Sequence, residues 1–259
     1  MEMRKDFDEL FVRYESTTEI FNHIKGSPWD EEQSTRFNPY SWDETLQHLT
    51  KGWSGSKALK VASDKISEMR DHSGTTTEFD VTGDFIDIGD YLTGVPECWG
   101  SMIEDPKPLL KLSIMIEAGV GGSRSSSEIE NRGAAILAMI DAFREKGFFL
   151  DITINSSCDG MDSRRDRQVQ LNFDTANGYS RDLLAFCVAH PCFLRRIVFA
   201  IRHKESHDHD YNGYSKDGDP RGYDIHIRSM NTDQMQWDTL DQAKGNIDRI
   251  IDRIMKGAK

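Results

Sequence analysis

Leu109-Leu110-Lys111-Leu112-Ser113-Ile114-Met115-Ile116 runs into Glu117-Ala118-Gly119-Val120-Gly121-Gly122-Ser123-Arg124-Ser125-Ser126-Ser127, and a long periodic stretch, Glu128 to Lys146, then leads through Gly147 to a second apolar run, Phe148 to Ile154. The first run is nearly continuous in apolar character, as a strand covered on both faces requires. Ser127 followed by Glu130 predicts a capping box at the start of the helix, and Gly147 suits the position just past its end. Strand, polar loop, helix and strand in this order make a βαβ unit, whose crossover is right-handed and whose strands are parallel.

Downstream, Gln168 to Phe173 alternates Val169, Leu171 and Phe173 with polar residues and predicts a hairpin-like strand. Ser180 caps a helix through Val188 that His190-Pro191 stops. Ile197 to Ile201 predicts another buried strand, Tyr223 to Arg228 an alternating one, and Asp233 to Lys256 a closing helix. The expected fold over residues 106–259 is therefore an α/β three-layer sandwich with a mostly parallel central sheet. The prolines of Asp105-Pro106-Lys107-Pro108 suit a boundary, which leaves residues 1–105 as a mostly helical N-terminal region packing on the core. Phe7, Leu10, Phe11 and Tyr14 predict a helix over 6–14, and Ser41 with Glu44 a capped one carrying Leu46 and Leu49. A further helix is expected over Ser56 to Met69, and rings at Trp29, Phe37, Tyr40, Trp42 and Trp53 anchor an irregular arm.

Composition narrows the function. The 259 residues hold 32 Lys and Arg against 44 Asp and Glu, a net charge of −12, which disfavours binding to a phosphate backbone. Basic residues cluster at Arg164, Arg165 and Arg167, where they offer an anion or an acidic partner a contact, but Asp166 interrupts them. Four cysteines at irregular spacing suit a reducing cytoplasm and make neither a disulfide scaffold nor a zinc set. No run approaches the roughly 18 apolar residues of a membrane span, and no apolar run follows the first basic residues as a signal peptide requires.

The strand Lys111 to Ile116, the serine-bearing loop and the long helix after it resemble a von Willebrand factor A-type domain. In that family an Asp-x-Ser-x-Ser loop after the first strand holds a divalent cation whose open position accepts a partner's carboxylate. Here the matching positions are Glu117, Gly119 and Gly121, so the acid is one methylene longer and both hydroxyls are gone. The resemblance implies a degenerate adhesion site, with Glu117, Ser123, Ser125 and Ser127 as the binding loop. A second resemblance rests on Lys51-Gly52-Trp53-Ser54-Gly55, Tyr91-Leu92-Thr93-Gly94-Val95-Pro96-Glu97, Asn131-Arg132-Gly133-Ala134-Ala135-Ile136 and Ala185-Phe186-Cys187-Val188-Ala189-His190-Pro191. These phrases are similar to a family that recurs in tailed-bacteriophage genomes, whose name carries no activity. It implies a host-cytoplasm location and, by analogy with phage genomes that pair such domains with MoxR-like AAA+ ATPases, an ATPase or another phage protein as partner.

One other constellation carries chemistry. His203 to Asp210 alternates imidazoles with carboxylates, and Asp217, Asp219, Asp224 and His226 follow. His207, His209, Asp210 and His226 are the candidate ligands of Zn or Mn, since first-row metals take that ligand set. The expected function is a non-enzymatic protein-interaction module. Alternatives are a metal-dependent hydrolase or nuclease built on the His-rich loop, and a virion or assembly component. No cofactor is expected beyond a divalent cation.

Overall fold

Apolar alternation and apolar continuity decide where the chain extends and where it coils. The computed structural model describes residues 1–6, 9–26, 41–55, 60, 76–83, 85–103, 111–120, 124–145, 148–159, 166–174, 180–205, 215–230, 241–242, 245–246, 248–250 and 253. In chain order the elements are β1 (Glu2–Asp6), β2 (Glu9–Tyr14), α1 (Thr17–Ile24), α2 (Trp42–Lys51), β3 (Thr76–Asp80), β4 (Phe85–Ile86), α3 (Ile88–Thr93) and β5 (Trp99–Ile103). Then come β6 (Lys111–Glu117), α4 (Ser126–Glu145), β7 (Phe149–Asp159), β8 (Asp166–Asp174) and α5 (Arg181–Ala189). A π-helical stretch (Phe193–Val198) runs into α6 (Phe199–Glu205), followed by β9 (Ser215–Lys216) and β10 (Ile225–Ile227).

The chain forms two units, one of residues 1–67 with 111–259 and one of residues 68–110. The first is α/β. Its sheet runs β1-β2-β8-β7-β6-β10, with β9 paired to β7. It is mixed where a mostly parallel sheet was expected: β6 with β7, β6 with β10 and β2 with β8 are parallel, while β1 with β2, β7 with β8 and β7 with β9 are antiparallel. The βαβ unit through α4 and the hairpin of β7 with β8 stand as the sequence predicts. The second unit holds the antiparallel sheet β3-β5-β4 and α3.

Three local expectations fail for identifiable reasons. Residues 9–14 form β2, not a helix: Val12 and Tyr14, two apart, are both fully buried, as period two requires, whereas on a helix they would lie on opposite sides. With β2 beside β8, residues 2–6 and 9–14 are strands of the α/β sheet and not part of a helical region packed on it. Ile197 to Ile201 is helical, since a short buried apolar run fits either element; Pro191 at the first turn and His190 at the cap of α5 start a new helix there. The capping box of α4 is Ser125 with Glu128, two residues earlier than expected: Glu128 N–H donates to Ser125 Oγ (3.2 Å) and Ser125 N–H to Glu128 Oε2 (2.7 Å). Ser41 with Glu44 and Ser180 with Leu183 cap α2 and α5 as predicted. Residues 27–40, all of the predicted helix over 56–69 except residue 60, and most of the predicted closing helix lie outside the described residues, although 60, 241–242, 245–246, 248–250 and 253 are helical.

The sheet of the first unit has two unlike faces. Leu112, Ile114, Ile116, Leu150, Ile152, Ile154, Val169, Leu171, Val12, Ile225 and Ile227 share one side by register and join the main core. Ser113, Glu117, Thr153, Asn155, Ser157, Gln168, Gln170, Asn172 and His226 share the other, with Met115 among them. On the apolar side α4 is buried on every face from Ala134 to Ile140, as a helix enclosed between a sheet and other helices must be. Gly133 makes that enclosure possible, because a Cβ built on it would stand 2.2 Å from Ala189 Cβ and 2.7 Å from Ala189 Cα in α5. Gly133→Ala gains up to about 1 kcal/mol of helix propensity. Forcing the two helices apart costs about 3 kcal/mol, so urea denaturation is expected to show a net loss of about 2 kcal/mol. An unchanged midpoint would mean that α4 and α5 do not touch here.

Candidate metal centre

Glu117 is the last residue of β6 and is fully buried on the polar face, where its neighbours in register hold it. Asn155, which faces the same way on β7, donates Nδ2–H toward both carboxylate oxygens at 2.8 Å each, and Gln168 Nε2 fixes Asn155 by donating to its Oδ1 (2.8 Å). A strap across the face closes the set. Gly218 N–H donates to Glu117 Oε1 at 2.7 Å, and only glycine fits there, since a Cβ would meet Asn155 Nδ2 at 2.5 Å and Met115 Cε at 2.9 Å. The preceding residue, Asp217, accepts from Arg228 Nε and from Ser229 N–H, both at 2.7 Å. His226 on β10 brings Nε2 to 3.4 Å from Glu117 Oε1.

The result is a cluster of Glu117, Asp217 and His226 in which one ligand atom from each lies within 4.8 Å of the others. Side-chain exposure is 0% for Glu117, 15% for Asp217 and 17% for His226, so the cluster is nearly closed but not sealed. Two carboxylates brought this close in a poorly hydrated place repel each other, which costs free energy unless positive charge lies between or beside them. Arg228 neutralises Asp217 in part from one side. Glu117 itself faces one side-chain amide, a backbone N–H and the imidazole, and two carboxylates with an imidazole form a ligand set that suits Zn²⁺ or Mn²⁺. The residues therefore fit a divalent cation.

Arg132 frames the centre from α4. It is 2% exposed, and NH2 donates to the backbone carbonyls of Glu117 (2.8 Å) and Arg228 (2.9 Å), so one guanidinium ties the exits of β6 and β10 together. Arg124 adds NH2 to the Met230 carbonyl (3.3 Å) and NH1 to Glu128 Oε1 (2.8 Å), which fastens the start of α4 to the chain leaving β10. Arg132 and Arg124 thus tie α4 to the C-terminal ends of two parallel strands, where open α/β sheets place ligands.

A family model for a domain of unknown function, DUF7192, matches residues 3–256. The chain belongs to that family. No curated protein and no solved structure matches it. In this DUF7192 member the sequence-predicted ligands divide. Glu117 and His226, assigned to different candidate sites from the sequence, stand together. His207, His209 and Asp210 lie outside the described residues, as do Ser123, Arg164 and Arg165, and of Arg167 only the backbone in β8 is described.

Ser125 and Ser127 are at the start of α4, Oγ to Oγ 3.0 Å apart, and Ser125 is engaged by Glu128 in the helix cap. Arg196 is 4% exposed, and Arg195 NH2 donates to the Arg124 carbonyl (3.3 Å). Asp217 is the member of the cluster that sequence reasoning passed over as a candidate ligand. Its signal was the Asp217-Gly218 pair, a turn dipeptide in which the glycine permits close backbone approach and so carries the acid to the sheet. Asn155, Gln168 and Arg132 gave no such signal, because their roles arise from strand register and helix packing.

Proposed function

We propose that this chain is a non-enzymatic protein-interaction module whose Glu117, Asp217 and His226 hold a divalent cation, Zn²⁺ or Mn²⁺, with an open position for a carboxylate of another protein. The observation that carries it is the convergence of the three ligand groups within 4.8 Å at the ends of parallel strands. A three-ligand site that keeps an open coordination position accepts an outside ligand. The von Willebrand A-type resemblance supports the same use. The cluster then does with Glu117, Asp217 and His226 what that family does with a hydroxyl-rich loop, and the DUF7192 chain is a rebuilt, three-layer relative of it. The partner expected from the phage-type phrases is an ATPase or another phage protein.

Binding is favoured over hydrolysis because both oxygens of Glu117 are held by Asn155, and one also by Gly218. A carboxylate so engaged serves as a fixed ligand better than as a base that must turn toward a water. Calorimetric titration of MnCl2 or ZnCl2 into the metal-stripped chain is expected to give one site per chain. His226→Ala and Asp217→Asn are each expected to weaken it by about 100-fold or more, while a His207→Ala/His209→Ala double variant leaves it unchanged. A short aspartate-rich peptide is expected to bind only the metal-loaded form. Loss of metal in the double variant alone would place the site in the His-rich loop. Metal-dependent turnover of a phosphodiester, abolished by His226→Ala, would replace the interaction function with an enzymatic one.

A further inference from the structure

The second unit wears its apolar residues on the outside. Among the described residues nine large hydrophobic side chains are exposed, and seven of them, Val81, Phe85, Ile88, Tyr91, Leu92, Val95 and Trp99, fall between positions 81 and 99. Ile88, Tyr91 and Leu92 recur at the three- and four-residue spacing of one helical face, and they are 66%, 60% and 77% exposed. The helix that carries them, α3, buries none of its residues, although it is properly built: Asp87 accepts from Gly89 and Asp90 N–H at its start, and Gly94 closes it in the left-handed conformation. A capped helix with an apolar face turned to water is formed for something that covers it, since scattered single hydrophobic residues are ordinary on a surface and a contiguous stripe is not.

The charge around the stripe indicates what that is. Residues 68–110 hold ten acidic and two basic residues, and so carry eight of the chain's net twelve negative charges. Asp90 lies within α3, Asp87 caps it and Glu97 follows it, the first and last of these exposed. A second copy of the chain would bring the same acids to this face, and an anionic bilayer would bring its own negative charge. Opposite potentials steer and hold partners, and like charges set side by side exclude them.

We propose that the exposed face of α3 with its flanking strands docks a basic amphipathic segment of another protein, the apolar stripe of that segment lying on Ile88, Tyr91 and Leu92 and its Lys or Arg residues meeting Asp90 and Glu97. Helix-in-groove recognition of this kind reads anchors at one face and fixes the orientation by charge at the rim. This surface belongs to the second unit alone and is independent of the metal centre.

The test is fluorescence anisotropy of a labelled Leu/Lys amphipathic helical peptide titrated with the full chain. A Leu/Glu peptide of the same pattern serves as the control. Expected is binding of the Leu/Lys peptide alone, weakened at least tenfold by Ile88→Ser/Leu92→Ser and at least tenfold by Asp90→Lys/Glu97→Lys. These are exposed positions whose replacement leaves the thermal transition in place, and raised salt weakens binding as well. Equal affinity in the serine variant would mean that the peptide is held by net charge alone, and the docking face would be wrong. Self-association of the chain that the serine variant abolishes, or binding to phosphatidylglycerol vesicles that it abolishes, would overturn the proposal in favour of a second copy or a membrane.

Discussion

Between pH 7 and pH 4.5 the wild-type chain is expected to lose about 2.5 kcal/mol more stability than its His190→Asn variant. His190 is the cap residue of α5 and is 3% exposed. It sits among rings, with Trp53 at 4.7 Å and edge-on, Phe186 at 5.3 Å and His48 at 5.3 Å between centroids. Its Nδ1 accepts from the Cys192 N–H at 3.1 Å, which gives the ring a local structural use at the joint between α5 and the next helix.

Burial in this apolar setting, reinforced by His48 beside it, brings the His190 pKa down from 6.5 to about 3. A proton on the ring is therefore disfavoured when folded and accepted readily when unfolded. The unfolded chain binds more protons below pH 6.5, so the contribution is whole above that value and drains away as pH falls toward 3. Asparagine keeps an acceptor near Nδ1 and cannot take up the proton. The variant starts less stable at pH 7, because a ring is lost from a packed cluster, and then falls less steeply. Urea denaturation at several pH values measures both slopes; parallel slopes would show that His190 is not the group that resists protonation. Carboxylates that titrate over the same range, Glu128 held at about 2 by the Ser125 N–H above all, contribute equally to both chains and cancel in the difference.

What the sequence made legible was local. The βαβ unit from Lys111 to Asp159 could be read because periodicity, a polar loop and a glycine all marked the same boundaries. The caps at Ser41 and Ser180 could be read because a cap is a relation between neighbours. Competing neighbours misled it: Ser125 and Ser127 both stand three residues before a glutamate, and only packing of α4 selects the first.

Register and partners were not legible. Nothing within Glu9 to Tyr14 says that it pairs with Asp166 to Leu171, 157 positions away, and a period of two or of 3.6 fits it equally until that pairing exists. The candidate metal centre was half legible for the same reason. Glu117 was singled out as the acid that ends β6 and His226 as an imidazole beyond the His-rich run, but that they share a centre depends on β10 lying parallel to β6 with His226 beside Met115. The exposed stripe of α3 could not be read either, because exposure of an apolar residue is a fact about its surroundings and not about its neighbours in sequence.

Arg132→Met is expected to cost about 3 kcal/mol in urea denaturation, and Arg132→Lys about half of that. The methionine keeps the length of the stem and its packing, so the loss isolates the hydrogen-bonding head. That head donates to the carbonyls of Glu117 and Arg228 at the exits of two neighbouring strands. Hydrogen bonds from a charged donor contribute about 1.5–3 kcal/mol each, and a buried carbonyl left without its donor loses that in full, less what entering water restores. Both bonds come from the one nitrogen NH2, and the lysine ammonium, on a shorter and more flexible stem, reaches the two carbonyls less firmly than that planar group does. The same substitution reaches the metal centre, because the two carbonyls belong to Glu117 itself and to the residue two beyond His226. Loosening them lets two of the three ligands drift, and Arg132→Lys is expected to weaken Mn²⁺ or Zn²⁺ binding by about tenfold while leaving one site per chain. A stability loss with unchanged metal affinity would make Arg132 a brace of the sheet alone; unchanged stability would deny it the clamp as well.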